Sequence, residues 1–280
     1  MFKQIYNERF MRFKDGKSKA VTFSYDDGVA ADKKLLQIFN RKNLKCAFNL
    51  NNPLYGSGKH GTMDEGTAFS TYKDCGQEIA LHGDKHLFLN KIPLPEAALE
   101  IIENRKYLED KYGCIVNGMA YAYSGYNDEV VALLKSLGVT YARTTESSYS
   151  FDIPKDWLRL KPTCHHSDKR LFSLAEEFLN SEPDGEYKKR EPLLFFVWGH
   201  SYEFDDNGNW DVIEKFTDGI SGRQNIWYAT PNEIYGYVKS YESLMYSLDG
   251  EWVFNPSHET VWLDIRGRIY AVESGKQIKL

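Results

Sequence analysis

Short apolar runs alternate with segments of helical spacing along most of this chain, and that alternation limits the fold more than any other feature. Residues 20–25 (AVTFSY) read as a strand, and residues 32–43 follow with Leu35, Leu36, Ile38 and Phe39 at helical spacing. Residues 45–50 (KCAFNL) are strand-like again, 78–81 form a short buried strand, and 95–112 a charged amphipathic helix. Residues 118–123, 140–143, 158–163 and 193–198 (LLFFVW) read as further strands, with helices over 127–137, 171–179 and 231–244. Apolar strands that alternate with helices predict an α/β protein with parallel strands, as a barrel or an open sheet. After about residue 245 the period becomes strict alternation: Val261, Leu263 and Ile265 share one face, and Gly267 turns the chain into RIYAV. This predicts a small antiparallel β appendage over residues 245–280, packed on a domain of residues 1–244.

Composition narrows the function classes. A net charge of −5 argues against a nucleic-acid or acidic-membrane partner. No run approaches the ~20 apolar residues of a spanning helix, so no membrane partner is expected. The N-terminus lacks an apolar stretch, and the cysteines Cys46, Cys75, Cys114 and Cys164 are widely spaced without a C-x-x-C pair. Both features suit a cytoplasmic protein with reduced thiols, although a trimmed secreted chain would look the same. The 19 Tyr and 6 Trp suit a sugar-binding cleft, because flat aromatic faces match the C–H faces of pyranose rings. An aromatic-rich core gives the same composition. Nothing indicates the oligomeric state.

The residues that carry chemistry fall where predicted strands end, and in parallel α/β folds those ends form one rim. Asp26 and Asp27 follow the first strand, His82 follows 78–81, Tyr123 closes 118–123, and His200 lies just past LLFFVW. Adjacent carboxylates project in different directions, so one can bind a metal while the other handles a proton; D-D-G alone also reads as a turn with a helix N-cap. His82 and His86 form an H-x-x-x-H pair, and on a helical turn this spacing puts both imidazoles on one face. Two His and one Asp leave coordination positions open, as catalytic metal sites do. The segment 51–71, rich in Gly, Asn, Ser and Thr, reads as a lid or a surface loop.

The order FSYDDG, GQEIALHGDKH, AYSGYND and FFVWGH resembles the polysaccharide deacetylase superfamily, carbohydrate esterase family four, over residues 19–240. The resemblance implies a distorted, incomplete parallel (β/α) barrel of about seven strands. It implies Asp26 as general base, Asp27, His82 and His86 as metal ligands, and His200 as general acid. It also gives the Tyr123 N–H to an oxyanion hole. Gly83 stands where the family usually has Ser or Thr. The third motif, normally Arg-x-Pro-Tyr-Gly, is matched only by Ala120-Tyr121-Ala122-Tyr123-Ser124, so its Arg is missing. Arg143, at a later strand end, is the candidate replacement. The family's Asp-Trp pair that tunes the acid has a match in Asp156-Trp157, but Cys164-His165-His166, at the following strand's end, is the favoured occupant of that place.

These expectations add up to a metal-dependent hydrolase that removes N- or O-acetyl groups from a carbohydrate. The implied cofactor is one divalent transition metal: zinc, with cobalt or nickel as alternatives, since imidazole and carboxylate ligands suit them better than magnesium. A C–N hydrolase of the same superfamily, acting on a cyclic or other small amide, would share the metal residues. A non-catalytic carbohydrate-binding protein would share the aromatics. The chain has no G-x-S-x-G, which disfavours a nucleophilic hydrolase.

Overall fold

The computed structural model describes residues 9–52, 63–181 and 191–280. Strand β1 (Arg9–Arg12) precedes β2 (Lys19–Asp26), whose eight residues are all buried. Helix α1 (Asp32–Arg41) lays Leu35, Ile38 and Phe39 on the sheet, with Phe39 and Phe23 ring centroids 4.6 Å apart. Burying each such side chain contributes roughly 1.5–3 kcal/mol. The rhythm continues through β3 (Cys46–Leu50), α2 (Glu65–Tyr72), β4 (Glu78–Leu81), α3 (Leu94–Tyr112), β5 (Gly118–Ala120), α4 (Asp128–Ser136) and β6 (Tyr141–Arg143). Two caps set boundaries here: the Asn127 side chain accepts the Val130 N–H at the start of α4, and Gly113 ends α3 at φ 66°.

The second half carries β7 (Cys164–His165), α5 (Leu171–Asn180), β8 (Leu193–Gly199), α6 (Tyr202–Asp206), α7 (Trp210–Ile220), β9 (Ile226–Tyr228) and α8 (Pro231–Glu242). Helix α8 opens on Thr230 and Glu233 as a capping box, with Pro231 inside the first turn. All pairings among β2 to β9 are parallel, and seven strands follow one path in the order β6-β5-β4-β3-β2-β8-β7. The eighth, β9, pairs with Lys19–Val21 of β2, while β3 takes Phe23–Asp26. The expected barrel of about seven parallel strands is therefore the fold.

Two readings of the sequence need correction. The strand expected over residues 158–163 is a short 3-10 turn, Trp157–Arg159, then a single parallel bridge of Leu160 to Arg143. Asp156 caps that turn by accepting the Leu158 N–H, and Pro162 has no N–H to give a ladder. Helix α2 takes up the end of the stretch read as loop or lid and runs one residue past it, started by the Asp64 side chain accepting the Thr67 N–H; residues 53–62 of that stretch lie outside the described residues. The antiparallel strands of the C-terminal region are β10 (Met245–Tyr246), β11 (Trp252–Phe254), β12 (Val261–Ile265), β13 (Arg268–Val272) and β14 (Gln277–Lys279). They form two sheets, and one of them takes in β1, paired with β12. Arg12 and Asp264, each 2% exposed at the side chain, form a buried ion pair across that join.

Candidate active site and metal centre

The rim at the carboxyl ends of the parallel strands gathers Asp26, Asp27, His82, His86 and His200 within contact of one another. Asp26 is the last residue of β2 and is 2% exposed. Arg143 ends β6, is fully buried, and donates from Nη2 to both Asp26 oxygens, at 2.6 Å to Oδ1. Its Nε donates to Ser24 Oγ at 3.1 Å, and its guanidinium lies 4.4 Å from the centre of the Trp198 ring. The Asn49 amide donates to Asp26 Oδ1 at 2.8 Å. Burial pushes the Asp26 carboxyl up, but Arg143, then His82 and His200, outweigh it and hold it below the ordinary carboxylate range. Arg143 on β6 is thus the arginine that holds Asp26.

Asp27 turns away from Asp26 because its backbone is left-handed, at φ 80°, while its N–H donates to the Asn49 carbonyl at 3.1 Å. Its Oδ1 lies 3.3 Å from His82 Nε2 and 3.4 Å from His86 Nε2, and the two nitrogens are 3.1 Å apart. Groups bound 2.0–2.1 Å from one tetrahedral ion lie about 3.3–3.4 Å apart, so these separations fit a single cation. The tautomer agrees: His82 Nδ1 donates to the Ala120 carbonyl at 2.9 Å and leaves Nε2 as a bare ligand atom. His86 Nε2 faces that bare nitrogen at 3.1 Å, a separation made favourable by a shared cation or by a proton on His86 Nε2.

The H-x-x-x-H pair meets by a route other than the helical turn expected. Residues 82–86 form a loop in which Gly83 (φ 90°) and His86 (φ 57°) are left-handed. Asn104 of α3 accepts the N–H groups of His82 and Gly83 at 3.1 Å each, and the Asn51 amide donates to both of their carbonyls. Glu100 accepts the Lys85 N–H, and its Oε2 would sit 3.2 Å from a Cβ at residue 83. A carboxylate from α3 therefore holds this loop, and glycine fits where the family usually has Ser or Thr. Asp27, His86 and Tyr123 (φ 53°) are all non-glycine left-handed residues, a conformation also found in turns elsewhere, at Asp15 and Asn43 among others.

His200 faces the carboxylates: its Nε2 is 4.0 Å from Asp26 Oδ2 and 3.9 Å from Asp27 Oδ2. Its Nδ1 lies 3.2 Å from Glu203 Oε1. Burial would lower the His200 pKa, but Glu203, then Asp26 and Asp27, raise it above its ordinary value. Glu203 itself is pushed up by burial, yet His165, His166 and His200 crowd it and hold it ionised far below the usual range. Glu203 escaped the sequence reading; its only signal is a glutamate three residues after a histidine. Tyr123 is 56% exposed, stacks on Phe88 at 4.2 Å and meets His86 edge-on at 4.5 Å.

The other expected positions divide. His165 and His166 lie on the same rim, their rings 4.4 Å apart and the His165 ring 6.4 Å from that of His200. Asp156 and Trp157 lie elsewhere: Asp156 pairs with Arg159, and Trp157 packs edge-on against Tyr235 in a separate apolar cluster. Trp198, 7% exposed, is the tryptophan beside His165 and Arg143.

Residues 13–142 match the sequence pattern of the family described as polysaccharide deacetylase. A sequence search against curated proteins found no match. Among solved structures, a protein from Mycobacterium smegmatis described as a polysaccharide deacetylase is similar, with a TM-score of 0.59 and 15% identity, covering 83% of this chain and 94% of that one. The Xyl-CE4 domain of a multidomain xylanase from the hindgut metagenome of Trinervitermes trinervoides is also similar, with a TM-score of 0.52 and 14% identity, covering 80% and 91%. At these identities the likeness concerns the fold. The matched stretch of chain carries Asp26, Asp27, His82, His86 and Tyr123.

Proposed function

We propose that this chain is a metal-dependent hydrolase that removes acetyl groups from a carbohydrate. The observation that carries the reading is the convergence of Asp27, His82 and His86 beside an Arg143-held Asp26, with His200 opposite. A divalent transition metal held by Asp27, His82 and His86 would polarise the acetyl carbonyl and acidify a water beside it. We assign zinc, since two imidazoles and a carboxylate favour it, with cobalt or nickel able to replace it.

Asp26 takes the proton of the attacking water; Arg143 keeps it ionised and aimed, and Asn49 fixes the oxygen that Arg143 shares. The Tyr123 N–H donates to the oxyanion of the tetrahedral species. His200, with Glu203 at Nδ1, gives the proton from Nε2 to the leaving amine or alcohol. The exposed Tyr123 face, backed by Phe88, offers an apolar plane to a sugar ring. Cys46, Cys75, Cys114 and Cys164 are all unpaired, which supports a cytoplasmic setting.

Acetate release from a panel of acetylated mono- and oligosaccharides tests the reading. Release that stops with a chelator and returns with zinc is the expected result. A zinc-loaded chain that releases no acetate from any of them overturns it.

A further inference from the structure

A second group of ligand-type side chains stands on the same rim, on the far side of His200. His165 and His166 come from the end of β7, and Glu203 from α6. His166 Nε2 is 2.8 Å and His165 Nε2 3.2 Å from Glu203 Oε2. That oxygen is shut off from solvent and has no hydrogen-bond partner among the described residues. The rings therefore approach it off the line that N–H donation requires. The same donor types meet at Asp27, two imidazole nitrogens and one carboxylate oxygen, with the nitrogens 3.3 and 3.4 Å from the oxygen there; each set lies within 4.8 Å.

The group is built into the fold. His166 is 3% exposed, and its ring fills the space beside Gly199, where a Cβ would lie 2.0 Å from Nδ1. No other residue type fits at 199 while that ring stays in place. His165 Nδ1 is 2.7 Å from Ser167 Oγ, which can accept the Nδ1 proton and leave Nε2 bare. Histidine ligands are commonly oriented through the other ring nitrogen in this way.

We propose that His165, His166 and Glu203 form a second site for a divalent transition metal, separate from the one at Asp27, His82 and His86. The donor set again suits zinc or cobalt. Glu203 would then use Oε2 for the ion and Oε1 for His200 Nδ1, 3.2 Å away. An ion there would pin the carboxylate that positions His200. A competing account follows from the Ser167 N–H, 3.2 Å from His165 Nδ1. If it donates to a bare Nδ1, Nε2 carries the proton, and the rings only surround a carboxylate.

Metal counting separates the two. The chain, stripped with a chelator, is titrated with zinc in a calorimeter, and bound zinc is counted after dialysis. The expected counts are two per chain for the unmodified protein, one for His82→Ala/His86→Ala, and one for Glu203→Gln. His165→Ala, at a side chain 20% exposed, is the mildest variant and should also lower the count from two to one. In His82→Ala/His86→Ala, cobalt(II) should give an absorption band that a further His165→Ala removes, with the far-ultraviolet circular dichroism unchanged. One zinc in the unmodified chain and none in His82→Ala/His86→Ala overturns the proposal, as does a count of two in His165→Ala. Turnover plays no part in these counts. A chain that binds two ions and releases no acetate would sink the hydrolase reading and leave this one standing.

Discussion

Two buried carboxylates, six residues apart in sequence, are shifted in opposite directions. Asp26, at the tip of β2, meets the Arg143 guanidinium through both oxygens. Asp32, in the first turn of α1, meets two hydroxyls, Tyr72 and Ser201, at 2.5 Å each. Burial pushes both groups up. Arg143 reverses that push at Asp26, whereas at Asp32 the hydroxyls oppose it without cancelling it, and the carboxyl rises to about 7. At Asp32 two neutral donors leave the desolvation uncancelled; at Asp26 a formal charge cancels it. The rim thus holds one acid kept as an anion and, beneath it, one that is half-protonated near neutrality.

The strongest way to break the contrast is Asp26→Asn. Asn keeps the shape and accepts a hydrogen bond but takes no proton at neutral pH. Turnover should fall by roughly 10²–10⁴-fold while bound metal stays near the wild-type count. Steady-state rates with metal analysis on the same samples check this. Wild-type turnover in the variant would end the base assignment.

Next comes Arg143→Met, which fills similar space and removes the charge. Breaking a buried pair from one side costs about 3–5 kcal/mol, visible as a lowered denaturation midpoint. Without Arg143 the Asp26 carboxyl should titrate higher, so the acidic limb of the kcat/KM profile should move to higher pH. A limb that stays where it was would show that Arg143 is not what keeps Asp26 charged.

The smallest effect belongs to Asp32→Asn. The folded pKa of about 7 lies above the ordinary carboxylate value, so the folded chain keeps a proton that the unfolded chain releases. Stability from this group is full below about pH 4 and declines by about 1.4 kcal/mol per pH unit at most up to about 7, then levels off. Asn stays neutral throughout. Relative to wild type, the variant should gain stability between pH 4.5 and 7.5, read by urea unfolding at both. An equal difference at the two pH values would contradict the account.

The parts of the site legible in the sequence were those announced by position. Asp26, Asp27, His82 and His200 each end an apolar run, and the pattern that makes a strand buried also fixes which end reaches the rim. Arg143 was readable on the same ground. What escaped was support from polar residues with no pattern of their own. Asn49 sits inside an apolar strand and Asn104 inside a helix, where nothing distinguishes them from ordinary polar positions. Glu203 lies on a five-residue helix too short to show periodicity. The histidine pair was found through the wrong geometry, because spacing of four is shared by a helical turn and by a loop with two left-handed residues. Helix α7 was missed although Ile213, Phe216 and Ile220 carry helical spacing.

The pairing of β1 with β12 has a consequence in time. Arg12 and Asp264 are 252 positions apart, and ribosomes add about 5–20 residues per second. Arg12 therefore waits roughly 10–50 s for its counter-ion to be synthesised. Throughout that interval β1 is a cationic strand without its partner, and by its end all the parallel strands are made. The earliest of the described segments is fastened by one of the latest, and the rate of translation sets how long that seam stays open to chaperones and proteases.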